Sequence, residues 1–113
     1  MGRLVGRWSA GLGIVLLCTQ VAWAEHKLRR DLAMQRCYDK WAIAVLASER
    51  KAKGFDEVDV AWFMTNFGKP DTLSRVEVYS IVSQVYRSSE SGEAIGKALF
   101  KPCRKAVEYY FHD

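Results

Sequence analysis

The chain has 113 residues, of which 50% are hydrophobic and 27% charged, and its formal net charge is +4. A chain of this length supports a single small domain, which buries only about 60–65% of the surface that its unfolded form exposes. Basic and acidic residues alternate along the sequence, so neither a basic tail nor a stripe for nucleic-acid binding is indicated.

The N-terminal residues 1–24 have the pattern of a secretory signal peptide. Arg3 and Arg7 form a basic segment and a short apolar run follows. The segment then ends in the small-x-small pattern that signal peptidase recognises, with Ala22 and Ala24 as the small residues. We therefore predict cleavage after Ala24 and export to the periplasm.

Cleavage would leave one domain over residues 25–113, without stable insertion in a membrane. A membrane anchor is the first alternative, but a spanning helix needs about 20 apolar residues, and Thr19 and Gln20 interrupt the run earlier. A lipoprotein acylated at Cys18 is the second alternative. Lipid attachment requires a small residue directly before the cysteine, whereas Leu17 stands there.

Cys37 and Cys103 are the two cysteines that remain after cleavage, and an exported protein meets an oxidising compartment. We predict a disulfide between them, which closes a long loop and contributes roughly 4 kcal/mol in the chain-entropy treatment. A redox or metal pair is the alternative, but there is no C-x-x-C spacing and no histidine close to either cysteine in the sequence. We predict no cofactor and no metal site.

A first helix is predicted over residues 31–53, because apolar and small residues recur there at intervals of three to four positions. The predicted inward residues are Leu32, Cys37, Trp41, Val45, Ser48 and Ala52, flanked by Met34, Tyr38 and Ala42. Gly54 suits the left-handed position after a helix C-terminus, with Phe55 as the apolar residue that follows it.

The second predicted helix, EVDVAWFMTNF, begins after Asp56 as its N-cap residue and is ended by Gly68 and Pro70. The residues predicted to face inward, at the spacing i, i+3, i+4 and i+7, are Val60, Phe63, Met64 and Phe67. The opposite face is also apolar and holds Val58, Ala61 and Trp62. Such a helix is either fully buried or has a second partner. Trp62 therefore either covers an edge of the core or belongs to a contact patch.

The third predicted helix opens with a capping box of Ser74 and Glu77, around which Leu73 and Val78 form a hydrophobic staple. Its body is rich in β-branched residues, which is typical of strands. The apolar residues nevertheless follow the helical period, and we predict a helix whose inward residues are Val78, Ile81, Val82 and Val85.

The last predicted helix covers the C-terminal segment from Gly92. Its predicted inward stripe is Ile95, Ala98, Leu99, Cys103, Ala106, Val107 and Tyr110. Pro102 lies inside it, so the helix either kinks near Phe100 or restarts with Pro102 in its first turn. The predicted fold class is therefore all-α: a small four-helix domain with its last helix kinked at Pro102 and one disulfide.

The sequence contains no recognisable catalytic motif. His26 and His112 lie near the two ends of the mature chain, and the motifs G-x-S-x-G, H-E-x-x-H and the Walker loop are absent. The acidic residues at the start of the second helix lack the other ligands of a calcium loop, and helix capping explains them. We predict a protein that is not an enzyme and that acts by binding another protein, with a homodimer as a possibility. The predicted contact residues are Val58, Trp62, Asp56 and Asp59.

Three segments, RCYDKWA, AWFMTNF and KPCRKAVEYY, occur in a helical body that follows an export signal. In these features the chain resembles, over most of residues 28–110, the small periplasmic immunity proteins that neutralise type VI secretion peptidoglycan amidases. The resemblance implies a disulfide-bonded fold, frequent dimerisation, and inhibition by a loop or helix face inserted into an amidase cleft. The segments that could enter a cleft are Asp56–Asp59 and Ser88–Glu93.

Two other classes of function are compatible with the sequence. The chain is similar in size to the acid-activated, single-disulfide helical chaperones of the periplasm, although its basic balance does not suit a switch that depends on many carboxylates. An accessory subunit of an envelope complex is the third possibility. One tight partner would support immunity, whereas many unfolded clients would support a chaperone or stress protein.

Overall fold

The computed structural model describes the backbone of residues 2–112 and the side chains of residues 20–112. That part of the chain contains four helices and no strand. The helices are α1 (Gly2–Ala52), α2 (Glu57–Asn66), α3 (Arg75–Arg87) and α4 (Gly92–Tyr110). The predicted all-α class with four helices is confirmed.

The chain divides into two compact units, Met1–Asp31 and Leu32–Asp113. The first unit consists of the N-terminal part of α1, and its described side chains, from Gln20 onward, are exposed. The side chains of Arg3, Arg7 and Cys18 lie outside the described residues. Over the residues whose side chains the structure describes, no helical segment is long and apolar enough to cross a membrane.

The prediction that the first helix begins at Asp31 is wrong, because α1 already runs from Gly2. The sequence has neither glycine nor proline between Ile14 and Lys53, so nothing in this stretch ends a helix. The exposed residues Ala22 and Ala24 at the predicted cleavage site are therefore part of α1.

The C-terminus of α1 has the predicted glycine cap. Gly54 adopts a left-handed conformation with φ of 88°, which glycine reaches without steric cost. Its N–H donates to the carbonyl of Lys51 at 3.0 Å, and the N–H of Phe55 donates to the carbonyl of Arg50 at 3.1 Å. These two bonds are those of a Schellman motif, which turns the chain from α1 toward α2.

The inward face of α1 differs in part from the predicted stripe. Its fully buried residues are Cys37, Ile43, Ala44 and Ala47. Four residues that were predicted to face inward, Leu32, Tyr38, Ala42 and Ala52, are exposed. The physical reason is that α1 is packed on two sides, so its buried surface turns around the helix instead of following one line.

The larger core cluster joins α1 to α2, α3 and the start of α4. Its buried members are Ile43, Ala44, Ala47, Val60, Ala61, Met64, Leu73, Val78, Ile81, Val82, Val85 and Ile95. The smaller cluster joins α1 to α4 and consists of Cys37, Phe100 and Val107, with Trp41 and Cys103 packed against it.

The predicted disulfide between Cys37 and Cys103 is confirmed and lies in the smaller cluster. Its two Cα atoms are 5.6 Å apart, and the residues are separated by 66 positions in the sequence. The bond joins the middle of α1 to the second half of α4, so it connects the two longest helices of the fold.

The predicted capping box of α3 is also confirmed. The Ser74 hydroxyl accepts from the N–H of Glu77 at 3.2 Å, and the Glu77 carboxylate accepts from the N–H of Ser74 at 3.1 Å. Leu73 and Val78 are both buried, as the hydrophobic staple requires. At the other end of α3, Lys51 donates to the carbonyls of Val85 and Ser88.

Helix α4 continues through Pro102 without a break, so the alternative in which it restarts there is wrong. A kink at Pro102 stays a prediction. Three residues of the predicted inward stripe, Ala98, Ala106 and Tyr110, are exposed, whereas Gly92, Gly96 and Phe100 are buried. The glycines are buried because α1 passes too close for a side chain: a Cβ on Gly96 would collide with the Trp41 ring, and one on Gly92 with Ser48.

Candidate protein-binding surface on α2

Helix α2 presents to the core a face that is rotated from the predicted one. Its buried residues are Val60, Ala61, Met64 and Thr65. Phe63 and Phe67, which were predicted to face inward, are 52% and 70% exposed, and Ala61, assigned to the outer face, is only 3% exposed.

Small side chains explain this rotation. Ala61 packs in the larger core cluster together with residues of α1 and α3. The buried Thr65 hydroxyl donates to the carbonyl of Ala61 at 2.9 Å, so its burial leaves no polar atom unpaired. The buried face of α2 therefore holds two small residues, Ala61 and Thr65, beside Val60 and Met64, and the large rings are left outside.

The rings left outside form an aromatic face, which we define as Phe55, Trp62, Phe63 and Phe67. All four are between 48% and 70% exposed. The ring centroids of Trp62 and Phe67 are 5.5 Å apart, and those of Phe63 and Phe67 are 5.6 Å apart. These separations are typical of favourable aromatic pairs. The rings of Trp62 and Phe63 therefore both pack on that of Phe67 at the surface instead of in the core.

A groove of about 430 Å³ runs along the aromatic face, between the C-terminal part of α1 and α2. Its lining residues are Leu46, Arg50, Phe55, Asp59, Val60, Trp62, Phe63, Met64 and Gly68. The charged side chains among them are Arg50 and Asp59. The Arg50 guanidinium carbon lies 5.5 Å from the centre of the Phe55 ring, a distance at which cation–π attraction is effective.

Of the four predicted contact residues, two line the groove and two do not. Trp62 and Asp59 line the groove. Val58, at 77% exposure, and Asp56 are on the surface of the same region but are not among the lining residues. Trp62 is 55% exposed, so it is a surface residue and not a member of either core cluster.

Acidic side chains surround the N-terminal end of α2. Glu57 forms a salt bridge with Arg87, in which the carboxylate oxygen lies 2.8 Å from a guanidinium nitrogen. Asp56 and Asp59 form no ion pair with any residue that the structure describes. Asp56 occupies the predicted N-cap position, but its side chain makes no capping hydrogen bond, so the predicted capping role of this carboxylate is wrong.

The hydroxyl of Tyr86 lies close to these acidic side chains, and they affect its pKa. Its hydroxyl donates to the carbonyl of Phe55 at 2.6 Å. Burial, followed by the negative charges of Asp56, Glu57 and Asp59, raises the pKa of Tyr86 above its ordinary value. The three carboxylates thus lie close enough to Tyr86 to act on its hydroxyl, and Lys51, 6.0 Å from the centre of the same ring, is the nearby cation.

The wall of the groove that α1 supplies was not found from the sequence. Leu46 and Arg50 lie one turn apart on α1 and off the apolar stripe predicted for that helix. Leu46 is 43% exposed and lines the groove together with residues of α2. The turn around Gly54 brings Phe55 to the same groove, and this glycine was the one sequence signal that pointed there.

Ser88–Glu93 is the other segment predicted to enter a cleft. Two serine side chains in it form hydrogen bonds with nearby backbone N–H groups. The Ser88 hydroxyl accepts from the N–H of Glu90 at 3.0 Å, and the Ser91 hydroxyl accepts from the N–H of Ala94 at 3.1 Å as the N-cap of α4. No apolar side chain lies between these residues. The segment thus resembles a helix–helix connection more than a binding loop.

A second cavity, of about 510 Å³, lies between α1 and α4 next to the disulfide. The cations on its wall, Arg36 and Lys40, both face the Glu77 carboxylate, with Lys40 at 3.9 Å. These side chains hold α3 against α1, which accounts for their position. Over the residues with described side chains, no group of three or more potential ligands could hold a metal ion.

Comparison with known proteins assigns no family. Neither a protein-family pattern, nor a curated protein, nor a solved structure matches this chain significantly. The resemblance to the amidase immunity proteins therefore stays a prediction from the sequence.

Proposed function

We propose that this protein is a protein-binding module that works in the periplasm after export and captures its partner through the aromatic face and the groove beside it. The observation that carries this proposal is the exposure, at 52–70% each, of Trp62 and Phe63 on α2 and of Phe67 at its C-cap. Leaving apolar surface in water forgoes about 25 cal/mol for each Å² that could be buried. Contiguous exposed apolar patches are typical of interaction sites.

An immunity protein is the specific form of this function that we propose. The family resemblance implies an amidase effector of type VI secretion as the partner, and the exposed aromatic face has the apolar character that contact with a cleft requires. In this role the protein supplies no catalytic group. It inhibits by occupying the cleft of the effector.

A helical chaperone is the second candidate, because the same aromatic face would hold unfolded clients. The two functions differ in the number of partners and in the lifetime of the complex. A single partner held tightly favours immunity, whereas many partners released on folding favour a chaperone.

The test is capture from a periplasmic extract by the mature protein, followed by an amidase assay on any captured peptidoglycan hydrolase. We expect one dominant partner whose activity falls on binding, and we expect Trp62→Ala to abolish both effects. Tyr109→Ala is the matched control, since Tyr109 is a 72% exposed aromatic residue on α4 and away from the groove.

A thermal melt must accompany this test. Trp62→Ala should lower the stability by about 1 kcal/mol or less, because the side chain is half exposed. Ile81→Ala, a core substitution on α3, should cost about 2–5 kcal/mol. A partner that binds Trp62→Ala as tightly as the wild type would contradict the proposed function of this face.

A further inference from the structure

The groove offers almost no hydrogen-bond partner to the backbone of a ligand. Apart from Arg50 and Asp59, its lining side chains are apolar. All of its lining residues except Phe55 and Gly68 lie in helices, where backbone N–H and C=O groups pair with one another. The backbone of Phe55 is bonded to Arg50 and to the Tyr86 hydroxyl. A backbone polar group that is buried without a partner costs about 1–3 kcal/mol. A ligand that fills this groove must therefore satisfy its own backbone.

An α-helix meets that requirement, and an extended peptide does not. Extended peptides usually bind by adding a strand to the edge of a sheet, and the described part of this chain contains no strand. An amphipathic helix instead places apolar side chains, spaced by three to four residues, into an apolar groove. The rings of the aromatic face supply large contact areas of the kind that dominate binding energy.

The charged residues beside the groove indicate which charge the polar face of that helix should carry. Arg50 is stacked on Phe55 and Glu57 is paired with Arg87. Asp59 lines the groove and Asp56 lies three residues before it, and neither is paired among the described residues. After burial, the charges of Asp56 and Asp59 also contribute to the raised pKa of Tyr86 beside the groove. A ligand with a positive charge at this end is therefore favoured.

We propose that the groove binds an amphipathic α-helix of another protein, with the apolar stripe of that helix against Trp62 and Phe63 and a lysine or arginine next to Asp59. This inference rests on the proposed function and specifies the chemistry of the partner. A second copy of this chain is a poorer occupant, because its own α2 would bring the same unpaired carboxylates to the negative end of the groove, and like charges repel.

The probes are three synthetic peptides of about 18 residues, a length at which isolated helices become stable enough to study. The first two carry leucines at the helical spacing i, i+3, i+4 and i+7, with lysines on the polar face of one and glutamates on that of the other. The third has the composition of the lysine peptide with prolines that prevent a helix. Fluorescence anisotropy measures the affinity of the mature protein for each peptide.

We expect the lysine helix to bind at least about tenfold more tightly than the glutamate helix, a difference of about 1.4 kcal/mol. The double substitution Asp56→Asn and Asp59→Asn should remove this preference and leave α2 intact, since both side chains are exposed and the Asp56 carboxylate makes no capping hydrogen bond that could be lost. Trp62→Ala should weaken the binding of both helices, and Tyr109→Ala should change neither.

Several results would overturn the inference. Equal binding of the proline peptide would refute the helical ligand, and equal binding of the glutamate helix would refute the role of the carboxylates. Self-association in sedimentation velocity that Trp62→Ala abolishes would assign the groove to a second copy. If the captured partner needs Trp62 and neither helix binds, this inference fails while the proposed function stands. If capture does not depend on Trp62, both fail.

Discussion

Glu77 shows how one side chain can stabilise both a helix and its packing. Its carboxylate closes the capping box with Ser74, and it also pairs with Arg36 of α1. Lys40 adds a second positive charge at 3.9 Å. The residue that starts α3 thus also attaches α3 to α1. The capping role was predicted from the spacing of the two residues, whereas the partners on α1 lie too far away in the sequence to be predicted.

These contacts make the stability depend on pH. Partial burial by itself would raise the pKa of Glu77, but the hydrogen bonds from Ser74 and the charge of Arg36 outweigh it, and the pKa lies below its ordinary value. A carboxylate with a lowered pKa stabilises the fold above its unfolded pKa of about 4.3, and this contribution is lost as the pH falls through the lower folded value.

We therefore expect Glu77→Gln to cost about 1 kcal/mol or less near pH 7 and nothing once the pH is below the pKa of the folded state. Urea unfolding of the wild type and the variant at several pH values measures the difference. Glu108→Gln is the control, because its pair with Arg104 is an exposed i, i+4 contact worth only a few tenths of a kcal/mol. A difference between Glu77→Gln and the wild type that persists unchanged into acid would contradict the assignment.

At the scale of the elements, the contact between α1 and α4 depends on glycine at two positions one turn apart. Gly92 and Gly96 are both buried, and they face Ser48 and Trp41 of α1. Trp41 also packs against Phe100, one turn beyond Gly96 on α4, with ring centroids 5.2 Å apart. The tryptophan ring therefore cannot turn away without disturbing the cluster around the disulfide.

Gly96→Ala should lower the stability by about 1–3 kcal/mol, because the added methyl group overpacks against Trp41. Gly68→Ala is the matched control. A Cβ there meets only backbone atoms of Met64 at 3.8 Å, and the residue does not need a positive φ. We expect this control to be neutral or slightly stabilising. Thermal melts of the two variants, with Trp fluorescence as the probe, give the comparison. An unchanged melting temperature for Gly96→Ala would show that the two helices are further apart than described.

At the scale of the whole molecule, the disulfide compensates for a small core. The buried hydrophobic residues form two separate clusters, and the smaller one has three buried members, of which only Cys37 is fully buried. Without the covalent bond, Phe100 and Val107 would be the main contacts that hold the second half of α4 to α1.

Reduction of the disulfide, or the double substitution Cys37→Ser and Cys103→Ser, should cost about 2–5 kcal/mol. The measurement is urea unfolding with and without reductant, and the double variant is the control because reductant should not affect it. Labelling of the native protein should detect no free thiol in the domain. Two reactive thiols in freshly isolated mature protein would show that the bond does not form in the cell.

Export is the second prediction at this scale. Mass spectrometry of the protein from a periplasmic fraction should give a chain that begins at Glu25, because the small-x-small pattern ends at Ala24. Substitution of Ala24 by a bulky residue should leave the precursor uncleaved. Intact full-length chain recovered from the inner membrane would instead support the anchor.

The local sequence was sufficient wherever neighbouring residues decide the structure. The glycine cap at Gly54, the capping box of Ser74 and Glu77, and the helical period of α3 all depend on contacts within a few positions. The disulfide could also be predicted from the sequence, because only two cysteines follow the predicted cleavage site and each lies on a predicted apolar stripe. These features set the number of helices, most of their ends and one long-range contact.

What the sequence could not determine was which side of each helix faces the core. Apolar residues surround α2, and periodicity predicted Val60, Phe63, Met64 and Phe67 as its inward face. In the structure Val60 and Met64 are buried together with Ala61 and Thr65, and Phe63 and Phe67 are exposed. The groove exists only because the turn at Gly54 brings that face next to Leu46 and Arg50 of α1. Residues that are distant in sequence meet there through packing, and packing is a property of the tertiary structure alone.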